Sequence, residues 1–430
     1  MAQKSFTPWR GDCAKNRRIK MSEAPLKAAS LPLPFAARAS DEAVPTGPLG
    51  LPPHAFLTLL TTQLSMQRLE QQWRALESRC AIAPSVFQSY DWNKCWCDVY
   101  AQPDSNKEIY IVAGYISNEL VFLMPLMRFS SKGQVILSWM SHPIGQYGDM
   151  LLAHGQDGTT WLKAAETYIQ RQDEIDCLHL RHIRQTSNFV AASANRWQDG
   201  KLYERAPAMD LAQFKTEADY DARYNRQQRA RRKQIRKHLE EMGPLNFARL
   251  PQGDAANSAI DEATDEKLKW LAERGRFNKV LSCPKHAAFL KRLSQVPQSN
   301  TDVVVTQLTA GNNTISWEVG FRYQGTHYCY LTSHRNELTA KAPGRLTMDL
   351  SQRKALNDGC TRFDLMVPYD QHKESWASAM EPVNDYYLPL SLKGAAYGNF
   401  YLGFARPHLR KLYQRMPMGV LRVLKKLLRQ

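Results

Sequence analysis

Ile315-Ser-Trp-Glu-Val-Gly-Phe-Arg-Tyr-Gln-Gly-Thr-His-Tyr-Cys-Tyr-Leu-Thr332 decides how the chain is read. Ile315, Trp317, Val319, Phe321 and Tyr323 alternate with Ser316, Glu318, Gly320 and Arg322. A period of two puts one set on each face of a strand. Gln324-Gly325 then reads as a two-residue hairpin turn, and Thr326–Thr332 as the return strand. Val303–Leu308 precedes the pair as a third antiparallel strand.

Elements of both kinds extend outward from this hairpin. Downstream, the pattern predicts a helix over Gly344–Asp358 stopped by Gly359, a strand at Thr361–Met366, a short helix carrying His372–Trp376 and a strand at Val383–Leu388. Upstream lie a strand at Leu245–Arg249, a helix at Ile260–Arg274, and a helix after Pro284 with Phe289, Leu290, Leu293 and Val296 on one face. The order is β-α-α-β-β-β-α-β-α-β. A second mixed region spans Phe87–Ala208. It holds a helix faced by Trp92, Trp96 and Val99, strands at Ile109–Ala113, Leu120–Met127, Val135–Trp139 and Asp176–Leu180, and a helix at Thr159–Gln170. A helix is expected from Leu57 through Leu64, Leu69, Trp73 and Leu76.

The expected class is therefore α/β (α+β), with two mixed, mostly antiparallel sheets flanked by helices. Five segments follow: a disordered Pro-rich leader at 1–56, an N-terminal domain at 57–215, a basic helix at 216–243, a C-terminal domain at 244–400 and a basic amphipathic tail at 401–430. Eight prolines in the leader block long helices and central strands. Met21 is an alternative start.

Charge narrows the partners. Lys and Arg number 57 against 41 Asp and Glu, a formal +16 that favours anionic partners. The longest apolar runs, such as Leu120–Leu126, fall far short of the ~20 residues that span a bilayer. No continuous apolar core follows the N-terminal basic residues, so a signal peptide is not expected and the cytoplasm is the default location. The eight cysteines are scattered without a CxxC pair, so reduced thiols and no metal site are expected. Within 217–242, Arg226, Arg229, Arg231, Arg232, Lys233, Arg236 and Lys237 fit either a solvated interdomain helix or a contact with tRNA, an anionic glycan or lipid phosphate. Arg406–Gln430 carries eight Lys and Arg with Leu421, Leu424, Leu427 and Leu428 at helical spacing, which suits peripheral contact with an anionic membrane.

Three C-terminal segments together carry a resemblance. Ala342-Pro-Gly-Arg345 with its helix, Gly359-Cys-Thr-Arg-Phe-Asp364, and Tyr369-Asp-Gln-His-Lys-Glu-Ser-Trp376 resemble the signature of the CelD-like acetyltransferases. These are GNAT-fold proteins associated with bacterial cellulose and exopolysaccharide synthesis. Phe87-Gln-Ser-Tyr-Asp-Trp92 and Pro143-Ile-Gly-Gln-Tyr-Gly-Asp149 are similar to that family's first half. The spacing of Tyr369 and Lys373 is wider than the family's. The tandem architecture is shared with Fem-type peptidoglycan aminoacyltransferases. The resemblance implies a tandem GNAT-like fold and transfer of an acyl group, acetyl in the simplest case, from acyl-CoA. The implied acceptor is an amine or hydroxyl of a saccharide or cell-envelope precursor. The alternatives are an aminoacyltransferase using charged tRNA and a non-catalytic binding protein.

Site candidates follow from that chemistry. Lys341, Pro343, Gly344 and Arg345 form a helix tip suited to a pyrophosphate. The ordinary GNAT Gln/Arg-x-x-Gly-x-Gly/Ala fingerprint is not met there, and a turn is the plain alternative. Asp364 is a base candidate on a strand, with pairing to Arg362 or Lys373 as its structural alternative. Glu318 is a second base candidate, Lys373 a charge-neutralising group and Tyr369 a proton donor to the departing thiolate. Trp376 is expected to wall the pocket or fill core; Tyr147 and Asp149 are acceptor-side candidates, with turn capping as the alternative for Asp149.

Overall fold

The computed structural model describes residues 50–409 apart from 132, 173, 194, 195, 298 and 407. Gln324 (φ 46°) and Gly325 (φ 75°) both take left-handed backbone. That is the pair of conformations a two-residue hairpin turn matching strand twist requires. The expected hairpin forms around it.

Thirteen strands are described. In the first half they are β1 (Ala55–Leu60), β2 (Lys107–Ile116), β3 (Glu119–Ser131), β4 (Gln134–Trp139), β5 (Leu151–Leu152) and β6 (Cys177–Arg184). Then come β7 (Gln198–Asp210), β8 (Leu245–Arg249), β9 (Asp302–Ala310), β10 (Asn313–Tyr323), β11 (Thr326–His334), β12 (Arg362–Asp364) and β13 (Ala379–Pro389). All join one sheet in the order β1-β2-β3-β4-β6-β13-β7-β12-β11-β10-β9-β8, with β5 beside β3. The expected mixed α/β class holds, but the two expected sheets are one. The reason lies in β13: Val383 pairs with Arg184 of β6 on one side and Glu204 of β7 on the other. Both edges of the last strand are hydrogen-bonded, so the halves meet edge to edge.

Two strand pairs are parallel. In β4/β6, Ile136 faces Cys177 and Leu137 faces Leu178. In β11/β12, Thr326, His327 and Tyr328 face Arg362, Phe363 and Asp364. The ladder ends after two residue pairs in β4/β6 and after three in β11/β12, a gap in the strand-to-strand pairing at each place.

The halves also share core. Trp92, fully buried in the helix Tyr90–Tyr100, stacks edge-on against Phe289 at 4.7 Å and Phe321 at 5.2 Å from the second half. Its indole N–H donates to Ser141 Oγ at 2.9 Å. Aromatic pairs in this geometry add to the value of burial.

Several sequence expectations are corrected. Leu57 lies in β1, and the helices begin only at Gln63–Arg68 and Glu70–Arg79. The 217–242 helix is two, Glu217–Ala222 and Arg226–Glu240, because Asn225 caps the second through the Gln228 N–H. The 13-residue β7 was not expected at all. The 400/401 boundary falls inside the helical segment Tyr397–Ala405, where Leu402 is fully buried. The leader up to residue 49, the start site and the tail from residue 410 lie outside the described residues. No helix among the described residues is long and apolar enough to cross a membrane.

Candidate active site

The β11/β12 gap organises the site. Its apex is the last paired position, Tyr328 with Asp364. On one wall, β11 runs on to His334, and the following 3-10 turn Asn336–Lys341 leads into the helix Pro343–Asn357. Pro343 is the first helical residue, where its missing N–H costs nothing. Ala342 before it is left-handed (φ 55°). This brings the helix tip back against β11: a Cβ on Gly344 would meet His334 Nδ1 at 3.4 Å. On the other wall, Met366 is also left-handed (φ 57°), and its N–H donates to Asp364 Oδ1 at 2.8 Å. Non-glycine residues in this region carry strain, which collects at functional sites.

Cations gather around the gap. Burial lowers the Lys373 pKa, and its Nζ donates to the carbonyls of Met366 at 2.9 Å and Pro368 at 3.0 Å. Burial and the nearby Lys373 also lower Lys267, from the helix Asp254–Glu273. Arg345 is lowered by burial and by Arg231 and Arg232. His334 is lowered by burial, Lys267 and Arg274, and His372 by burial and Arg345. Among the described residues no carboxylate forms an ion pair with Lys267, Lys341 or Arg345. Cations crowded together in partial burial repel one another, and a polyanion relieves that repulsion. Pro343 has no N–H and the Arg345 N–H donates to the Ala342 carbonyl at 3.0 Å, so the Gly344 N–H and these side chains are what the helix tip offers an anion.

Asp364 and Tyr147 are brought together. Asp364 is fully buried, and the Tyr147 hydroxyl donates to its Oδ1 at 2.7 Å. Arg362 Nε stands 3.5 Å from Oδ2, the pairing foreseen as the structural alternative. Oδ2 has no hydrogen-bond partner among the described residues. Burial and Asp364 hold the Tyr147 pKa well above its usual value, so the phenol stays protonated. The Arg184 guanidinium lies 5.1 Å over the Tyr147 ring. Their neighbours Arg184, Tyr328 and Arg362 line a cleft of 530 Å³ between the halves, together with Pro84, Thr326 and Glu381 among others, while Asp364 and Tyr147 themselves stay buried behind that lining. Sequence reading did not single out Lys267, His334, Arg184 or Glu381, whose neighbours are distant in the chain.

The other candidates lie elsewhere. Glu318 is buried and bound to His327 Nε2 at 2.6 Å, and His327 stacks on Phe363. Phe363 and Asp364 alternate along β12, so Glu318 and Asp364 occupy opposite faces of the sheet. Tyr369 is at the surface and donates to Glu374 Oε2 at 2.6 Å. Trp376 is buried in core with Met209, Met348 and Phe363, under the Arg232 guanidinium at 4.7 Å. Asp149 accepts from the N–H groups of Met150, Asn188 and Phe189, and burial raises its pKa to about 6. These bonds fix a loop and a helix start, the capping alternative for Asp149. All seven cysteines among the described residues are free. No cluster there could hold a metal ion.

Comparison with known proteins finds a family-model match within the second half. Residues 226–374 match a family model described as an acetyltransferase (GNAT) domain. No curated protein matches the chain. Among solved structures, FemX aligns over 76% of this chain and 97% of its own, with a TM-score of 0.55 and 8% identity. L-PGS from Bacillus licheniformis aligns over 74% and 91% at a TM-score of 0.46 and 11% identity. A tandem GNAT protein from the clavulanic acid biosynthesis pathway aligns over 78% and 99% at 0.40 and 11%. The segment that builds the β11/β12 gap thus matches a GNAT acetyltransferase domain model, and about three quarters of the chain shares the fold also seen in FemX.

Proposed function

We propose that the chain is an acyltransferase that moves an acyl group, acetyl in the simplest case, from acyl-CoA to an amine or hydroxyl of a saccharide or cell-envelope precursor. The finer CelD-like assignment rests on the sequence resemblance. One observation carries the reading: Lys267, Lys341 and Arg345, without carboxylate partners, surround a helix tip at the mouth of the β11/β12 gap.

In this reading Lys341, Pro343, Gly344 and Arg345 hold the donor's phosphates. Lys373 ties down the strained Met366–Pro368 wall through two carbonyls, and its charge faces the gap. The acyl carbon then reaches the apex beside Asp364. The acceptor enters through the inter-half cleft past Arg184 and Arg362. Asp364 Oδ1 is occupied by Tyr147 and Met366, so Oδ2 is the oxygen left to take the acceptor's proton once Arg362 yields. The acceptor's nitrogen or oxygen bonds to the acyl carbon, the carbon–sulfur bond breaks, the acceptor's proton passes to Asp364 and CoA departs as its thiolate, so no covalent enzyme intermediate forms. Glu318, Tyr369, Trp376 and Asp149 receive no chemical role. An acyl-CoA donor fits a reaction in the cytoplasm, and the eight Lys and Arg of the 406–430 sequence suit an anionic inner-membrane surface.

A second reading, transfer from aminoacyl-tRNA, is favoured by one feature. The helix Arg226–Glu240 leaves Arg226, Arg229, Arg231, Lys233, Arg236 and Lys237 exposed. Arg232 meanwhile docks it to Asp349 on the donor-site helix. Thermal-shift titration with acetyl-CoA, longer acyl-CoAs and tRNA separates the two. Stabilisation by CoA esters alone supports the first reading and by tRNA alone the second. No response to any of them means a binding protein on the same fold.

A further inference from the structure

The first half has its own gap, between β4 and β6, and it is also cationic. β4 ends at Trp139 while β6 continues to Arg184. Beside the opening lies a pocket of 300 Å³, lined among others by Lys107, Ser138, His142, His179, Arg181 and Arg406. Met127, Phe129, Tyr397, Tyr401 and Leu402 complete it with apolar surface. Such a volume is at the small end of ligand pockets, ~300–1,000 Å³.

Among the described residues its charges do not balance. Asp385 is fully buried; its Oδ2 accepts from Arg181 Nε at 3.0 Å and Arg406 Nη2 at 3.1 Å, and its Oδ1 from the His182 N–H at 3.0 Å. One carboxylate therefore serves two guanidiniums. Lys107 adds a third cation, held over the rings of Tyr100 at 5.0 Å and Trp96 at 5.6 Å. The histidines add no charge at neutral pH: burial pulls His142, His179 and His182 below their usual value. Arg181 Nη1 lies 2.8 Å from His142 Nε2, and a guanidinium only donates, so His142 carries its proton on Nδ1.

Polar atoms in the pocket are left over. Ser138 is 2% exposed, and its Oγ has no hydrogen-bond partner among the described residues. Nor have Arg406 Nη1 and His179 Nε2, the latter 3.6 Å from Asp385. Buried donors without partners are costly, and a ligand that accepts from them recovers the cost.

We propose that this pocket binds a small molecule with one anionic head, a phosphate or a carboxylate, on an apolar or aromatic body. The head sits among Arg181, Arg406, His179 and Ser138, and the body lies against Tyr397, Tyr401 and Phe129. The site is wired to the candidate active site. His142, gripped by Arg181, begins the loop that ends by delivering Tyr147 to Asp364, and the Gly148 N–H donates to the His182 carbonyl at 3.1 Å. A ligand on Arg181 thus sets the footing of the Tyr147 loop.

Isothermal titration of the full chain with phenyl phosphate, benzoate, inorganic phosphate and phenol tests this. Phenyl phosphate or benzoate should bind, phenol should bind at least tenfold more weakly, and the stronger anion identifies the head. Ser138→Ala and Arg406→Gln should each weaken binding, the latter tenfold or more, while Arg345→Ala at the other gap leaves it unchanged. No binding to the wild type, equal binding of phenol, or loss only in Arg345→Ala would overturn the proposal. Ser138→Ala removes one oxygen, so it keeps the test decisive if Arg406→Gln fails to fold.

Discussion

The Tyr147 hydroxyl, on a loop of the first half, donates to Asp364 Oδ1 in the second half at 2.7 Å, directly beneath the position where β11 and β12 part. The bond spans 217 residues of sequence and ties the base candidate to the other half of the molecule. Tyr147→Phe leaves Asp364 with the Met366 N–H and Arg362 only. Hydrogen bonds to charged groups are worth about 1.5–3 kcal/mol, so urea denaturation should register a loss of that order. In steady-state assays with acetyl-CoA, kcat should fall at least tenfold while the donor KM moves less than twofold. Wild-type kcat in Tyr147→Phe would remove the pair from the reaction.

Trp92 joins the two cores, and its removal should be felt by both. Trp92→Ala opens a cavity against Phe289 and Phe321, a change that costs about 3–5 kcal/mol in well-packed cores. Because β13 comes from the second half of the chain and is hydrogen-bonded to β6 and β7, thermal unfolding of wild type and variant should be a single transition, lower in the variant. Two resolved transitions in the wild type would show that the halves fold independently.

Glu77 makes stability depend on pH in a defined direction. It is 3% exposed, accepts from the Tyr90 N–H and the Tyr323 hydroxyl, and burial raises its pKa from 4.5 to about 7. The folded state therefore binds its proton more tightly than the unfolded chain does. This contribution is full below pH 4.5 and is lost as pH rises toward 7. At about 1.4 kcal/mol per pKa unit, the loss is on the order of 3 kcal/mol. Glu77→Gln keeps an acceptor for Tyr90 and cannot ionise. Its stability relative to wild type should rise between pH 4.5 and 7 and level off above; a flat difference would mean that Glu77 is not strained by burial.

The legible parts were those set by local pattern. Ile315–Tyr323 alternates strictly before Gln324-Gly325, and the expected hairpin forms there, with its register shifted once between Val319 and Gly320 and Ile315 set apart at a second irregularity beside β9. The helix tip at Pro343-Gly344 was equally readable, since proline and glycine have local causes. β7 was not legible because Gln198–Asp210 has no period: Asp199, Glu204, Arg205 and Pro207 interrupt it, and its place comes from β12 and β13 on its flanks. Leu57–Leu60 resembles a helix start and becomes a strand because β2 lies alongside. At the site, the residue types were readable but not their neighbours. Asp364 and Glu318 looked alike until the pleat sent them to opposite faces. Lys267, from a helix about a hundred residues before the gap, had no signal in its own surroundings.

Backbone hydrogen–deuterium exchange with and without saturating acetyl-CoA tests the central claim most directly. Donor binding at the β11/β12 gap predicts slowed exchange in peptides covering 330–347 and 364–373, abolished in a Lys341→Ala/Arg345→Ala variant whose fold is intact. Unchanged exchange in those peptides, or protection confined to the first half or to Arg226–Glu240, would contradict it.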